Sequence, residues 1–355
     1  MRRVHTNAAA ACLLAGALLL AGCGSDDSDT ASSGSSGPVE SRPAPAKAEF
    51  PAADGRSLAE VLESAKPSEL VISPAAMAFE RGENRFPFGV FDKGGAPVDD
   101  AEVALYFAKV PKVNEKAEKP NAKGADARAD IKALEEPANG PFPARIESLE
   151  TEPAFRALTT SDDPNSATTV YSTDVGFPAD GEWRIAALVK DGDEYSATLL
   201  PSVIVGNSPG IPRVGDKAPV IHTPTPEDAG GDLAQITTRI PPDTQNQVDF
   251  ADAYGKEPIV LLFATPQFCQ SRVCGPVVDV AEQVKEAYGD QAAFIHMEIY
   301  VDNDPPKTRP QVRAYNLPSE PWLFVIDEEG TITEALEGAF GVEELTRAVE
   351  KVTGG

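Results

Sequence analysis

The stretch EPIVLLFATPQFCQSRVCGPVVDVAEQVKEAYG, residues 257–289, joins a continuous apolar run to a helical pattern through a loop that carries two cysteines. The run IVLLFA is typical of a buried central strand, and valines and alanines recur on one face of the segment that follows. A strand that leads directly into an amphipathic helix indicates an α/β domain. The cysteines Cys269 and Cys274 lie at that junction.

The elements that follow continue this alternation. A second strand is predicted in AAFIHMEIYV and a short helix around 311–315. The strand PWLFVIDEEG turns at a Glu-Gly pair into the strand TITEAL, and VEELTRAVEKV closes the chain as a helix. The order β-α-β-α-β-β-α predicts a mixed sheet with helices on both faces, over residues 221–355.

The preceding part of the chain has a different pattern. Short alternating runs separated by turn residues predict an N-terminal all-β sandwich of immunoglobulin-like type over residues 56–206. Within it, Ser57 and Glu60 have capping-box spacing and predict a short helix, while residues 111–150 predict a solvated loop. This half shows no catalytic constellation, so we expect a binding or spacer role.

The ends of these two predicted domains are marked by composition. Residues 207–220 are rich in Pro and Gly and predict a linker. Residues 23–55 contain hardly any large apolar side chain and predict a disordered tether. The chain is therefore predicted to hold a β-sandwich domain and an α/β domain on a flexible N-terminal segment.

The first residues predict a secretion signal over 1–22, with a basic start and an apolar run over 8–20. That run is too short for a retained transmembrane span, which needs about 20 residues. The exit LAGC, which ends at Cys23, resembles a bacterial lipobox. The resemblance implies cleavage before Cys23, lipidation of Cys23 and a lipid anchor in the cell membrane, with the protein on the extracytoplasmic face.

Charge and cysteine content limit the possible functions. The net charge of −25 predicts repulsion of phosphate backbones, so we expect no nucleic-acid partner. Of the four cysteines, Cys12 would leave with the signal and Cys23 would carry lipid. Outside the cytoplasm the remaining pair, Cys269 and Cys274, can form a structural disulfide or a redox site.

Over residues 212–355 the chain resembles the thioredoxin superfamily. The strand VLLFA leads to Phe268-Cys269 at the start of a helix, and Pro321 precedes the strand WLFVID, where the family places a cis-proline that faces the active cysteines. The entry RVGDKAP is similar to the lead-in of thiol peroxidases and related extracytoplasmic thioredoxins. The resemblance implies a thioredoxin-like fold and a thiol-disulfide oxidoreductase that acts on extracytoplasmic protein thiols and disulfides, with no cofactor and no metal.

The position of the cysteines predicts their roles. A cysteine at a strand-to-helix junction meets unpaired backbone N–H groups and the positive end of the helix dipole, which both stabilise a thiolate. We therefore predict Cys269 as the attacking thiolate, with Arg272 as a further stabilising charge, and Cys274 as the resolving thiol. Phe268 is predicted to contact substrate because it flanks the nucleophile. Trp322, beside Pro321, is either a substrate contact or a packing residue.

The spacing of the cysteines predicts where the helix begins. Residues five apart in one helix have Cα atoms about 8 Å from each other, whereas a disulfide prefers about 5 to 6 Å. Either Cys269 lies in the loop before the helix or the first turn unwinds on oxidation. Gly275-Pro276 favours a helix that begins near Cys274, since proline suits an opening turn.

Three alternatives remain open. Peroxiredoxins of the Q type share the four-residue gap, but Thr265-Pro266 lies one residue too far upstream and an expected arginine before the WLFVID strand is missing. Sco-type copper-delivery proteins add a distant histidine, for which His222 and His296 are candidates, although a core role is expected for His296. Lastly, the disulfide of a non-catalytic binding lipoprotein can simply pin its loop, which stabilises by about 2 kcal/mol.

One departure from the thioredoxin pattern concerns proton transfer. Many thioredoxins carry a buried acid in the strand before the active site, whereas residues 260–262 are wholly apolar here. The sequence therefore gives no proton acceptor for Cys274.

Overall fold

The structure is a computed structural model that describes residues 39–111, 132–162 and 167–354. The predicted signal peptide, the lipidation site Cys23 and the first part of the tether lie outside these residues. Within them, no helix combines the length and the apolar character that a membrane crossing requires.

The described chain is a mixed α/β protein with three β-sheets. Its strands are β1 (Lys66–Pro67), β2 (Val71–Pro74), β3 (Gly82–Phe91), β4 (Glu102–Lys109), β5 (Asn139–Pro143), β6 (Arg145–Ser148), β7 (Thr169–Phe177), β8 (Gly181–Asp191), β9 (Glu194–Val205), β10 (Ile259–Ala264), β11 (Ala293–Glu298), β12 (Trp322–Ile326) and β13 (Ile332–Glu337). Its α-helices are α1 (Leu58–Glu63), α2 (Leu158–Ser161), α3 (Phe250–Ala253), α4 (Cys274–Tyr288), α5 (Pro310–Ala314) and α6 (Val342–Thr353), with 3-10 turns at Lys47–Glu49, Leu233–Gln235 and Val301–Asn303.

Residues 39–206, here called the sandwich region, contain two sheets that pack face to face. Their strand orders are β2-β3-β7-β6 and β1-β9-β8-β4-β5, with β1–β9 as the parallel pair. The rings of Phe86, Phe107, Phe177 and Trp183 come alternately from the two sheets, and their successive centroids lie 5.4, 5.3 and 5.3 Å apart. Aromatic packing therefore joins the sheets. The immunoglobulin-like type stays a prediction.

Two local predictions in this region have different outcomes. The capping box is confirmed: Ser57 and Glu60 exchange side-chain-to-backbone hydrogen bonds at the start of α1. The solvated loop predicted over 111–150 is wrong for its last part, where β5 and β6 pair with β4 and β7. Gly and Pro within NGPFP hide the alternation that would have indicated a strand.

The predicted disordered tether over 23–55 is wrong for residues 39–55, which lie against the sandwich. Phe50 and Ala53 are buried in a core shared with β4 and β8, and the Phe50 ring centroid lies 6.1 Å from that of Tyr195. Burial of Phe50 offsets part of the ordering entropy, and two backbone hydrogen bonds between Arg42 and Ile146, of 2.8 and 2.9 Å, add to it.

Residues 207–354, here called the C-terminal region, form the third sheet and its helices. The strand order is β11-β10-β12-β13, in which β10 is parallel to β11 and antiparallel to β12. Helices α4 and α6 pack on one face of the sheet, while α3 and α5 pack on the other. The element order and the helices on both faces are as predicted.

The segment predicted as a linker, 207–220, packs on this third sheet. Ile211 and Ala218 are buried in the core that α3 and α5 cover. Backbone hydrogen bonds of 2.8 to 3.0 Å join residues 215–218 to the segment 330–332 at the start of β13. The remaining domain boundaries stay predictions.

A joint between the two regions is built on Glu344, in the first turn of α6. Its carboxylate, only 6% exposed, accepts hydrogen bonds of 2.7 Å from Arg85 on β3 and from Arg145 on β6. A Cβ on Gly341, the residue before α6, would overlap the Ser148 carbonyl oxygen. We call the contact of Glu344 with these two arginines, together with Gly341, the Glu344 joint.

A second joint is built on Glu337, at the end of β13. Its carboxylate accepts hydrogen bonds from the backbone N–H groups of Met77 (3.1 Å) and Ala78 (2.9 Å) in the sandwich region, and from the Ser319 hydroxyl (2.5 Å). The next residue, Gly338, has φ +80°, and a Cβ there would lie 2.6 Å from the Ala75 carbonyl oxygen. These contacts, together with Gly338, are called the Glu337 joint.

Candidate active site

The two cysteines form a disulfide at the start of α4. The Cα atoms of Cys269 and Cys274 are 5.9 Å apart, close to the expected separation. Cys269 lies in the loop after β10 and is half-buried, whereas Cys274 is the first residue of α4 and is fully buried. The predicted helix start is confirmed, and Cys269 is the more exposed of the two cysteines. Their roles as attacking and resolving thiols stay predictions.

The loop between the cysteines is exposed and touches the sandwich region. The Cys269 sulfur lies 3.2 Å from the Ser271 hydroxyl oxygen. Arg272 has φ +59°, and its carbonyl accepts a hydrogen bond of 3.4 Å from the backbone N–H of Ala167. A positive φ is uncommon outside glycine. The backbone at Arg272 therefore makes an unusual turn shortly before α4. The predicted effect of the Arg272 charge on the thiolate stays a prediction.

The first turns of α4 pack against the sandwich region. A Cβ on Gly275 would lie 2.9 Å from the Thr160 hydroxyl oxygen, so α2 approaches the helix closely beside Cys274. Further along, the Asp279 carboxylate accepts a hydrogen bond of 3.1 Å from the backbone N–H of Ala157. The helix that carries the buried cysteine is therefore held by both regions.

Pro321 and Trp322 stand at the start of β12. The Glu320–Pro321 peptide is cis, as predicted. Trp322 is buried at 2% exposure, and its ring stacks on that of Phe324 at 5.7 Å. Its indole belongs to the core on the α3 and α5 face of the sheet, whereas Cys274 lies on the α4 and α6 face. This placement favours the packing alternative for Trp322.

Phe268 lies in the loop directly before Cys269 and is half-buried. Its ring meets that of Tyr300 edge to face, with centroids 6.1 Å apart. Burial, and the nearby carboxylates of Glu320 and Glu298, raise the pKa of Tyr300, which keeps its hydroxyl neutral. Phe268 therefore has a fixed neighbour beside the disulfide, and its substrate contact stays a prediction.

A buried carboxylate that the sequence analysis missed lies next to this loop. Glu298 ends β11, is fully buried and pairs in register with Ala264 at the end of β10. It accepts hydrogen bonds from the Thr238 N–H (2.9 Å) and hydroxyl (2.8 Å), and that hydroxyl accepts one from the Gln267 N–H (3.2 Å). The signal was the polar alternation of His296 and Glu298 within the apolar strand FIHMEIYV.

His296 is a buried cation of the core. Its Nδ1 lies 2.8 Å from the Asp243 carboxylate, and its Nε2 lies 3.2 Å from the Ala264 carbonyl oxygen. Because a carbonyl only accepts, Nε2 carries a proton, and Nδ1 donates to the ionised Asp243. Burial by itself would lower the pKa of His296, but the Asp243 charge outweighs it and raises that pKa to about 8. The expected core role of His296 is confirmed.

The histidine contacts bear on the copper-delivery alternative. Both ring nitrogens of His296 have protein partners, and His222 is exposed with its Nδ1 2.7 Å from the Asp249 carboxylate. In the part of the chain that the structure describes, no group of three or more His, Cys, Asp or Glu side chains is placed to hold a metal ion.

Among the solved structures that match this chain, two illustrate how distant the likenesses are. No family model and no curated protein matches the chain. A thiol:disulfide interchange protein of the thioredoxin family from Chlorobium tepidum matches with 18% identity and a TM-score of 0.28, covering 40% of this chain and 97% of that one. The ZirS C-terminal domain matches with 12% identity and a TM-score of 0.16, covering 50% of this chain and 88% of that one.

Proposed function

We propose that the protein is a membrane-tethered extracytoplasmic thiol-disulfide oxidoreductase of thioredoxin-like fold, with Cys269 and Cys274 as its redox pair. The observation that carries the proposal is the asymmetry of the disulfide. An incoming thiolate can approach the half-buried Cys269 sulfur, whereas Cys274 is enclosed at 0% exposure. The strand order β11-β10-β12-β13, with β12 antiparallel, supports the thioredoxin-like part.

The reaction follows from this placement. In the reduced protein, the Cys269 thiolate attacks one sulfur of a client disulfide, so the client S–S bond breaks and a mixed disulfide forms. The Cys274 thiol then loses its proton, attacks the Cys269 sulfur and releases the second client thiolate. The client gains two electrons and two protons, and the Cys269–Cys274 bond re-forms. The reverse sequence oxidises a client dithiol.

The N-terminus of α4 supports the thiolate chemistry. The helix has 15 residues, so its first backbone N–H groups and its dipole favour negative charge at the cysteine sulfurs. Glu298 has a structural role in this proposal. Its carboxylate accepts hydrogen bonds from Thr238, and the Thr238 hydroxyl accepts one from the Gln267 N–H in the loop.

The test of the redox function is the reduction potential of the pair. The purified protein is equilibrated with glutathione and dithiothreitol buffers, and the disulfide fraction is read from the mass added by a thiol alkylating agent. We expect a potential between about −270 and −120 mV, the range of working oxidoreductases. A value well below about −300 mV would make the disulfide a structural staple and support the binding-lipoprotein alternative.

Single substitutions distinguish the two cysteines. Cys274→Ser is expected to accumulate mixed disulfides with client thiols, because Cys269 attacks and nothing resolves the product. Cys269→Ser is expected to lose exchange. If Cys269→Ser instead traps the mixed disulfide, the assignment of the two roles is reversed.

The tethering part rests on the lipobox-like exit at Cys23. The expected result is incorporation of labelled palmitate into the wild-type chain in bacterial cells, with the protein in the membrane fraction. Cys23→Ala is expected to abolish the label. A wild-type chain that takes up no label would overturn the lipid anchor and leave the redox proposal unchanged.

A further inference from the structure

An open cleft of about 970 Å³ lies between the candidate active site and the sandwich region. One wall is formed by the loop residues 271–273, between the two cysteines, and by residues 319–321 before β12. The opposite wall is formed by residues 73–77 and 88–91 of the sandwich region. The sandwich region therefore supplies most of the residues that line this cleft.

The two walls are fixed relative to each other by the Glu337 joint. The Glu337 carboxylate, at 8% exposure, accepts hydrogen bonds from Met77 on one wall, from the adjacent Ala78 behind that wall, and from Ser319 on the other wall. Gly338 lets the backbone at Ala75 come close enough that no Cβ would fit between them. Because these contacts hold the two walls together, the cleft is preformed. A ligand that binds there therefore causes little loss of conformational entropy in the protein.

The cleft surface is mainly apolar, and its most exposed large apolar side chain is Met77. This methionine is 57% exposed although its backbone N–H is buried in the joint. A flexible thioether on a fixed backbone is suited to contact apolar side chains of varied shape. A single exposed methionine carries no such meaning by itself, but a mainly apolar cleft of this size is a candidate binding surface, and Met77 is part of its lining.

The charges at the cleft limit its occupant. Glu320 and Glu337 line it together with Arg272, in a chain whose net charge is −25. An acidic ligand would meet repulsion from both carboxylates and from the chain as a whole. A neutral or basic ligand would not.

We propose that this cleft binds an extended, apolar and non-acidic segment of a client polypeptide next to the client cysteine, with Met77 as the contact that determines specificity. The identity of the occupant as a client rests on the proposed function. An extended segment presents side chains to opposite sides, so it can contact both walls at once. The wall formed by the sandwich region would keep the convex surface of a folded protein away from the disulfide loop.

The test compares two variants of the full chain in two assays. Met77→Glu adds a negative charge within the cleft. Val71→Glu is the matched control, since Val71 is 52% exposed on β2, six residues before Met77, but does not line the cleft. The first assay measures binding of a rhodamine-labelled peptide of leucine, alanine and glutamine, without charge and without cysteine, by anisotropy. The second measures disulfide exchange, with glutathione disulfide for the wild type and with 2-hydroxyethyl disulfide, which is small and uncharged, for the comparison of variants.

We expect Met77→Glu to weaken peptide binding about tenfold, Met77→Leu to retain it, and Val71→Glu to leave it unchanged. None of the three should alter exchange with the uncharged 2-hydroxyethyl disulfide. Unchanged peptide binding in Met77→Glu, or an equal loss in Val71→Glu, overturns the proposal. So does a wild-type dimer that Met77→Glu converts to a monomer, because the cleft would then bind a second copy of the chain.

The two proposals fail separately in this design. A wild-type protein that exchanges no disulfide with glutathione loses the proposed function. The peptide carries no cysteine, so its binding still reports whether the cleft accepts an apolar segment. A wild-type protein that exchanges with glutathione but does not bind the peptide retains its function and loses the cleft proposal.

Discussion

Each of the two joints between the sandwich region and the C-terminal region is built on a buried glutamate, but the electrostatic surroundings of the two carboxylates are opposite. Glu344 is buried between the guanidinium groups of Arg85 and Arg145. Burial alone would raise the pKa of Glu344, but the two arginines outweigh it and lower that pKa to about 2. Burial also raises the pKa of Glu337, and hydrogen bonds from Ser319, Ala78 and Met77 offset only part of that effect.

The comparison shows that the partners of a buried carboxylate, rather than its burial, decide when it is charged. Glu344 stays ionised over the whole neutral and mildly acidic range, so its joint is fixed by charge. Glu337 takes up a proton at higher pH than an exposed glutamate does. The cleft beside the disulfide is therefore held by the Glu337 joint, whose carboxylate is easier to neutralise. The Glu344 joint, which does not line the cleft, is held by ion pairs.

Among the variants that test this difference between the joints, Glu344→Gln is expected to lose the most unfolding free energy. Removing the charge takes the shared carboxylate away from two mostly buried guanidinium groups, although Arg145 keeps Glu147 and Asp174. We therefore expect a loss of about 3 kcal/mol of unfolding free energy. Urea unfolding measures the loss. The control is Glu343→Gln, since the Glu343 side chain is 67% exposed and 3.9 Å from Arg347, and a loss below about 0.5 kcal/mol is expected there. Similar losses in both variants would refute the charge-fixed joint.

Acid should weaken the same joint. The pKa of Glu344 is about 2 in the folded protein against 4.5 for the free group. Its stabilisation is thus present above pH 4.5 and is lost as the pH falls toward 2, by about 3 kcal/mol. The difference in unfolding free energy between wild type and Glu344→Gln should therefore shrink between pH 5 and pH 2. A constant difference over that range would contradict the ionised state of Glu344.

The sequence predicted the elements of the C-terminal region because their signals are local. An apolar run marked β10, and Gly275-Pro276 placed the start of α4 at Cys274. The joints have no local signal. Arg85 and Glu344 are 259 positions apart, and Met77 and Glu337 are 260 apart, so only the packed regions bring them together.

The candidate site was predicted in part for the same reason. The cysteines and the cis peptide at Pro321 follow from short motifs, and both are found where the motifs predicted them. The Met77 wall of the cleft comes from the other half of the chain, in which the sequence showed no chemistry. A site shared by two regions of a chain is not visible in either one alone.

A moderate effect is expected when the backbone of the Glu337 joint is pushed apart. Gly338→Ala combines a positive φ with a Cβ 2.6 Å from the Ala75 carbonyl oxygen, and should cost about 2 to 3 kcal/mol. Gly255→Ala is the control, because Gly255 has φ +74° with nothing within 4 Å of its Cβ, and about 1 kcal/mol is expected there. Thermal unfolding measures both. Equal losses would show that the close approach at Ala75 contributes nothing.

The smallest effect is expected for Glu337→Gln, which removes a charge without a guanidinium partner. The amide oxygen still accepts a hydrogen bond, so the loss at neutral pH should be about 1 kcal/mol. Because the folded pKa of Glu337 is raised, its stabilisation is present at acidic pH and is lost as the pH rises through that pKa. The difference between wild type and Glu337→Gln should therefore grow on acidification, opposite to that of Glu344→Gln. Urea unfolding at pH 4 and pH 7 measures the loss of unfolding free energy in each variant relative to wild type. If that loss changes in the same direction between the two pH values for both variants, the two joints do not differ in charge.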